Sequence, residues 1–170
     1  YSTFSQDQIG KIEGVSYDKA SNTLTLDNVK RDEKLITNVM GDDFKILLKG
    51  DNSLKSIIVW GDGYGGNLTI TGDGKLTLNS EKTENTAITI QAEYTEGKVK
   101  IEKNVQMEMY AKEGYPIIEI VGANNSDKDK AVVIDGKLTQ NYEVEQHITE
   151  VTNNVYVVAK DSTARCYFTK

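Results

Sequence analysis

Gly66-Asn67-Leu68-Thr69-Ile70-Thr71-Gly72-Asp73-Gly74-Lys75-Leu76-Thr77-Leu78 places two short alternating strands, Leu68-x-Ile70 and Leu76-x-Leu78, on either side of a Gly-Asp-Gly turn. Alternation at period two sends every second side chain to one side of a strand. Glycine and aspartate supply the backbone freedom and local hydrogen bonds that a tight turn needs. A strand this short cannot bury its apolar side alone, so the stretch reads as one unit of something repeated.

The repeat is present on both sides. Leu24 and Leu26 recur as Ile46 and Leu48, then as Leu68 and Ile70, each time after 22 residues. In the same 22-residue alignment Gly50-Asp51 returns as Gly72-Asp73, and Leu54 as Leu76. Leu68 and Ile70 recur as Val99 and Ile101 after 31 residues, and these as Val132 and Ile134 after 33. Leu76 and Leu78 become Met107 and Met109 after 31, and Ile88 and Ile90 become Ile118 and Ile120 after 30. Three strands repeating together predict stacked segments, about 4.8 Å apart, whose aliphatic side chains form inward columns. The turns lengthen outward without disturbing those columns. The expectation is an all-β right-handed parallel β-helix (a β-solenoid) of about four to five coils of three short strands. An antiparallel sandwich is the alternative.

At the N-terminal end, Val15-Ser16-Tyr17 faces Thr23-Leu24-Thr25 across a turn at Asp18–Asn22, a hairpin that would cap the first coil. The expected division is a single domain, with an N-terminal cap at 1–23, coils at 24–138 and a C-terminal β cap at 139–170. In that last part the run Val155-Tyr156-Val157-Val158 leads through Asp161-Ser162-Thr163 to Cys166-Tyr167-Phe168, read as a C-terminal hairpin. No sustained helical apolar pattern occurs, so almost no helix is expected.

The 170 residues suffice for one core, and the net charge of −6 opposes nucleic acid or an anionic membrane surface as partner. No apolar run approaches the roughly 18 residues of a spanning segment, so membrane insertion is not expected. Cys166 is the only cysteine and His147 the only histidine, which excludes an internal disulfide and nearly excludes a His-based zinc site or triad within the chain. The chain begins at Tyr1 without a methionine, as a processed or excised chain would.

Residues 66–78 resemble the "G-x-L-T-I-x-G-x-G-x-L-T-V" coil of a β-helical family of secreted clostridial proteins. The opening Val15-Ser16-Tyr17-Asp18 … Thr23-Leu24-Thr25-Leu26-Asp27-Asn28 resembles the same family, and Phe44–Asn52 is similar to its "G-D-x-x-I-x-L-x-G-x-N" coil. The resemblance spans roughly residues 14–138. The family is described as carbohydrate-binding, with coils like those of pectate lyases. The resemblance therefore implies an extracellular or cell-surface bacterial protein, a plant-type acidic polysaccharide as partner, and calcium as its ion. It does not extend to 139–170.

Candidate site residues follow from chemistry. Trp60, Tyr64, Tyr94, Tyr110 and Tyr115 fall in or beside outer loops, where aromatic rings could stack on sugar faces or simply cover the corners. Asp62, in Gly61-Asp62-Gly63-Tyr64-Gly65-Gly66, could bring a carboxylate to Ca²⁺, with Asp42 and Asp43 nearby; the same glycines make an ordinary tight turn. Asp51 and Asp73 occupy equivalent positions in consecutive coils and could share a cation, or each could close its own turn. Lys98, Lys100, Lys103 and Lys112 could meet sugar carboxylates, but they alternate with Glu96, Glu102, Glu108 and Glu113 and read as a self-paired surface. Outward strand positions are Thr77 and Glu108 on one face and Thr89 and Glu119 on another, so no face gathers two adjacent acids for hydrolysis. The chain reads as a non-catalytic, calcium-assisted polysaccharide-binding module of an exported surface or fibre-degrading protein. A structural or adhesive spacer is the alternative, and a polysaccharide lyase the less favoured one.

Overall fold

The computed structural model describes residues 3–5, 11–38, 43–61, 65–135, 142–160 and 165–168. In chain order the strands begin with β1 (Thr3–Ser5), β2 (Val15–Asp18), β3 (Thr23–Asp27), β4 (Lys34–Asn38), β5 (Asp43–Lys49) and β6 (Asp51–Leu54). Next come β7 (Ser56–Trp60), β8 (Gly66–Gly72), β9 (Lys75–Leu78), β10 (Ile88–Gln91), β11 (Gly97–Ile101) and β12 (Gln106–Tyr110). The last are β13 (Ile118–Val121), β14 (Val132–Ile134), β15 (Tyr142–Ile148), β16 (Asn153–Ala159) and β17 (Arg165–Phe168). One short helix, α1 (Lys128–Ala131), precedes β14, so the near-absence of helix holds among the described residues.

The strands form three sheets. A seven-stranded sheet runs β1-β4-β7-β10-β13-β16-β15, a six-stranded sheet β14-β11-β8-β5-β3-β2, and a four-stranded sheet β17-β12-β9-β6. Within them the repeats pair in parallel register. Leu68, Val99 and Val132 are successive partners, as are Ile70, Ile101 and Ile134. Leu76 faces Met107, Leu78 faces Met109, Ile88 faces Ile118 and Ile90 faces Ile120, as the spacings anticipate. All of these except the half-buried Ile134 are buried, and with the side chains of the other sheets they make one aliphatic cluster. Each fully buried Leu or Ile is worth about 1.5–3 kcal/mol relative to an exposed one, so the columns carry most of the driving force.

The architecture assigned to this repeat needs correcting. The strands do not make a single right-handed β-solenoid with three strands in every coil. They fall into three sheets of unequal size, and every sheet combines parallel with antiparallel pairs: β13–β16 and β15–β16 in the largest, β2–β3 in the second, β12–β17 in the smallest. The physical reason is at the ends of the chain. Hairpins and a reversed strand satisfy the edges that a parallel stack would leave open, so a uniform winding is not what the backbone follows. An all-β, three-sheet protein is the description that stands.

Two finer expectations also change. Leu24 pairs with Ile46, the 22-residue step, but the next step is 24 residues: Phe44 pairs with Leu68, and Ile46 with Ile70. Asp51 accordingly sits opposite Lys75, and Leu54 opposite Leu78, not Leu76. A slip of two residues preserves which side chains point inward, so the pattern of alternation cannot reveal it. At the C-terminal end the hairpin is β15–β16, while β17 pairs antiparallel with β12; the Asp161–Thr163 turn lies outside the described residues. The N-terminal hairpin forms as expected, with the pairing one residue on from the expected facing of Val15–Tyr17 with Thr23–Thr25: Val15 lies opposite Leu26, Tyr17 opposite Leu24 and Asp18 opposite Thr23.

Asparagines tie neighbouring segments together where the columns stop. Asn22, Asn28 and Asn79 adopt positive φ of 50°, 56° and 55°, a conformation that asparagine tolerates better than most side chains. Asn22 Nδ2 donates to Asp43 O at 2.9 Å, and Asn28 Oδ1 accepts from Asp51 N at 3.0 Å. Fully buried Asn52 stands in the column of Leu76 and Met107. Its Oδ1 accepts from Val29 N at 2.8 Å, and its Nδ2 donates to Lys49 O at 3.0 Å and reaches Lys75 O at 3.3 Å. Gly72, at φ 101°, lies so close to Leu48 O that a Cβ would collide with it, which explains the glycine at that corner.

Replacing Asn52 with Leu, the residue its own column uses elsewhere, should destabilise the protein by about 1–3 kcal/mol, because Val29 N and the Lys49 carbonyl lose their buried partners. Chemical denaturation of both proteins measures this; an unchanged or raised midpoint would show that column filling outweighs the hydrogen bonds.

Candidate functional site

The outward side of the seven-stranded sheet is the most chemically varied surface among the described strands. Its inward residues, Leu35, Ile57, Ile88, Ile118 and Val157, are successive partners and buried. Alternation then sends the intervening residues outward. One outward row runs Ile36, Ile58, Thr89, Glu119, Tyr156 and Glu145 across six strands. The row beside it holds Asn38, Trp60, Gln91 and Val121. Ile36, Ile58, Val121 and Tyr156 are half-buried, and Trp60 is 38% exposed. The surface thus combines an indole, a phenol and aliphatic area with amide, hydroxyl and carboxylate groups.

Local chemistry positions these groups. After Trp60 the chain turns sharply at Gly61, whose N donates to Gln91 O at 2.8 Å and where a Cβ would strike the Gly65 carbonyl. Gly61 and Gly65 therefore approach closely, and a side chain at Gly61 is excluded by that approach. Beyond Gln91, Glu93 and Tyr94 have φ of 50° and 68°. Thr95 N closes this turn on Ala92 O at 3.0 Å, and Tyr94 N donates to Gly122 O. Two successive non-glycine residues in the left-handed region cost free energy, and here they hold the Tyr94 ring 62% exposed at the same end of the sheet as Trp60.

Burial raises the Glu119 carboxyl above the ordinary glutamate range, opposed in part by a hydrogen bond from Thr86. Glu119 lies between Thr89 and Tyr156. Beyond Tyr156, whose ring centroid is 4.3 Å from that of His147, comes Glu145, with its Oε1 3.1 Å from His147 Nε2.

The other expected aromatics sit elsewhere. Tyr110 ends β12 in the four-stranded sheet, donates to Glu108 Oε2 at 3.0 Å and has Lys82 Nζ 6.0 Å from its ring. Tyr115 is 42% exposed in the turn before β13, with Lys112 Nζ 5.5 Å from its ring. Lys112 is itself bound to Glu84 at 2.8 Å, a hydrogen bond that lowers the Glu84 pKa and raises that of the lysine. Tyr64 lies outside the described residues. The four described rings therefore do not form one row; Trp60 and Tyr94 share an end of the sheet, Tyr110 ends a strand of another sheet, and Tyr115 belongs to another turn. Tyr156, Ile58 and Glu145 complete the face and were missed by sequence reasoning. Alternation in Val155-Tyr156-Val157 points Tyr156 outward, but nothing in it says which sheet the strand extends.

The described acidic residues do not gather into a calcium cradle. Asp43 Oδ1 accepts from Asn67 Nδ2 at 2.9 Å, and Asp51 pairs with Lys30 at 3.3 Å. Asp73 occupies the turn between β8 and β9, out of register with Asp51. Asp42 and Asp62 lie outside the described residues. Among the described residues no three metal-ligating side chains converge. The lysines are partly self-paired, as expected, though with other acids: Lys100 with Asp135 at 3.8 Å and Lys112 with Glu84.

A raised carboxyl pKa means that the folded protein binds this proton more tightly than the unfolded chain. Its contribution to stability is therefore complete below the unfolded glutamate value and lost as pH rises through the folded one. Glu119→Gln should match the wild type in thermal stability at acid pH and exceed it at neutral pH; melting curves at both values, read as the difference between the proteins, check the sign. Comparisons of the chain with protein-family models, with curated proteins and with solved structures found no match.

Proposed function

We propose that this chain is a non-catalytic polysaccharide-binding module of an exported bacterial surface or fibre-degrading protein, and that it holds its glycan against the outward face of the seven-stranded sheet. The observation that carries this reading is Trp60, 38% exposed at the end of a regular strand and in register with Gln91. An indole on a flat strand surface offers broad contact area at little entropic cost. The amide of Gln91, the hydroxyls of Thr89 and Tyr156, and the Glu119 carboxylate beside it are what sugar hydroxyls bond to. The resemblance of residues 14–138 to a carbohydrate-binding family favours the same function. Calcium is left out of this reading, because the described acids are engaged elsewhere or stand apart.

Affinity gels containing cellulose, xylan, glucomannan or pectin test it with the whole chain. Retardation on at least one glycan is expected, unchanged by EDTA, and Trp60→Ala should weaken it about three- to tenfold, the worth of one ring contact. Circular dichroism of the variant checks that it folds. Free migration in every gel would overturn the reading in favour of a structural or adhesive spacer, and release of an unsaturated sugar product would mark a lyase instead.

A further inference from the structure

We propose that the glycan bound on this face is a neutral, extended polysaccharide, and that Glu119 and Glu145 set the choice by excluding acidic chains. The inference rests on the reading of the seven-stranded sheet as the glycan surface, and it departs from the acidic partner that the family resemblance implies.

The argument is one of placement. The rings available on the face are Trp60 on β7 and Tyr156 on β16. Between those strands lie β10 and β13. A chain contacting both rings must run across the strands for three inter-strand steps and shift two residues along them, about 16 Å at the usual spacings. An extended polysaccharide ribbon of a few sugars covers that distance, and its path passes over β13, where Glu119 stands between Thr89 and Tyr156. On the far side of Tyr156, Glu145 is its direct partner. The Tyr156 platform is therefore bounded by a carboxylate on each side.

The remaining groups on the path do not offset this charge. The outward residues of β7 and β10 are Ile58, Trp60, Thr89 and Gln91, all neutral. Lys34, opposite Ser56 on β4, lies on the other side of β7 from β13. His147 is already beside Glu145, and Lys128 and Lys160 line a surface cavity with Glu145, together with Asp129 and Glu143, whose lining does not include Glu119. Glu119 is half-buried, so its charge is poorly screened, and the rise in its pKa shows that the surroundings already disfavour a negative charge there. A uronate carboxylate laid over β13 would add a second anion to the same poorly solvated place. A neutral sugar would instead donate its hydroxyls to the two glutamates, which accept charge-assisted hydrogen bonds. The same side chains thus attract one class of glycan and repel the other, which is how specificity is usually built.

Affinity gels at a pH of about 8, where an ordinary imidazole is uncharged, compare xylan and glucomannan with polygalacturonate on the intact chain. The neutral glycans should bind at least about tenfold more tightly, a discrimination of the size that one close like-charge contact supplies. Glu119→Gln combined with Glu145→Gln should raise polygalacturonate binding by about tenfold and weaken neutral binding about three- to tenfold, since the charge-assisted hydrogen bonds are lost, so the preference for neutral glycans collapses. Added salt should strengthen wild-type binding of polygalacturonate, a measurement that needs no variant. Equal or tighter binding of polygalacturonate by the wild type, or discrimination unchanged in the double variant, would overturn this inference while leaving the glycan surface in place. Binding to none of the three would overturn the glycan surface and the inference together.

Discussion

Parallel pairing between successive segments, at a constant distance and in register, is the constraint on which the rest of the structure depends. It stacks Phe44, Leu68, Val99 and Val132 in one line, and Leu24, Ile46, Ile70, Ile101 and Ile134 in another. Because strand partners lie on the same side, one choice of inward residue per segment fixes the outward residue as well. The face that carries Trp60, Gln91, Thr89 and Glu119 is therefore a by-product of core packing in neighbouring positions. Its spacing comes from backbone hydrogen bonding, and its chemistry comes from the residues that the core leaves free.

Buried asparagines show how much of this order depends on polar groups. Asn79 is 2% exposed; its Nδ2 lies 2.8 Å from Asn85 O and 3.1 Å from both Thr83 O and Tyr110 O, while its Oδ1 accepts from Thr83. Asn154 Oδ1 accepts from Ala123 N, and Asn125 Oδ1 from Gly97 N. The Asn79–Tyr110, Asn125–Gly97 and Asn154–Ala123 bonds cross from one segment to the next, while those of Asn79 to Thr83 and Asn85 close its own turn. An aliphatic side chain of similar size would fill the space but leave backbone groups unpaired, at a cost comparable to the burial it gained.

What could be read in the chain, and what could not, divides along physical lines. The pairing of Leu68 with Val99 and of Ile88 with Ile118 was legible because long spacings of apolar pairs have few competing explanations. The step from Ile46 was misjudged by two residues, since a shift of one full alternation moves no side chain between faces. The architecture was over-specified, because apolar spacing reports neighbours and not the direction of the strands that close each sheet. Trp60 was recognised from its residue type. Tyr156 and Glu145 were not, since their place beside Glu119 is set by a hairpin whose register depends on tertiary pairing. The grouping of Asp51 with Asp73 failed for the same two-residue reason.

The strand β17 lies beside β12, more than fifty positions earlier in the chain, and it does so in reverse direction. Its backbone is the outer neighbour of the Met107–Tyr110 segment. During synthesis every other member of that sheet has emerged from the ribosome long before this one. The smallest sheet must wait, with one side of β12 unsatisfied, until the chain has been translated through residue 168. Until then that side of β12 is a template to which a foreign strand could add, and β17, once paired, occupies it and becomes the outermost strand of the sheet.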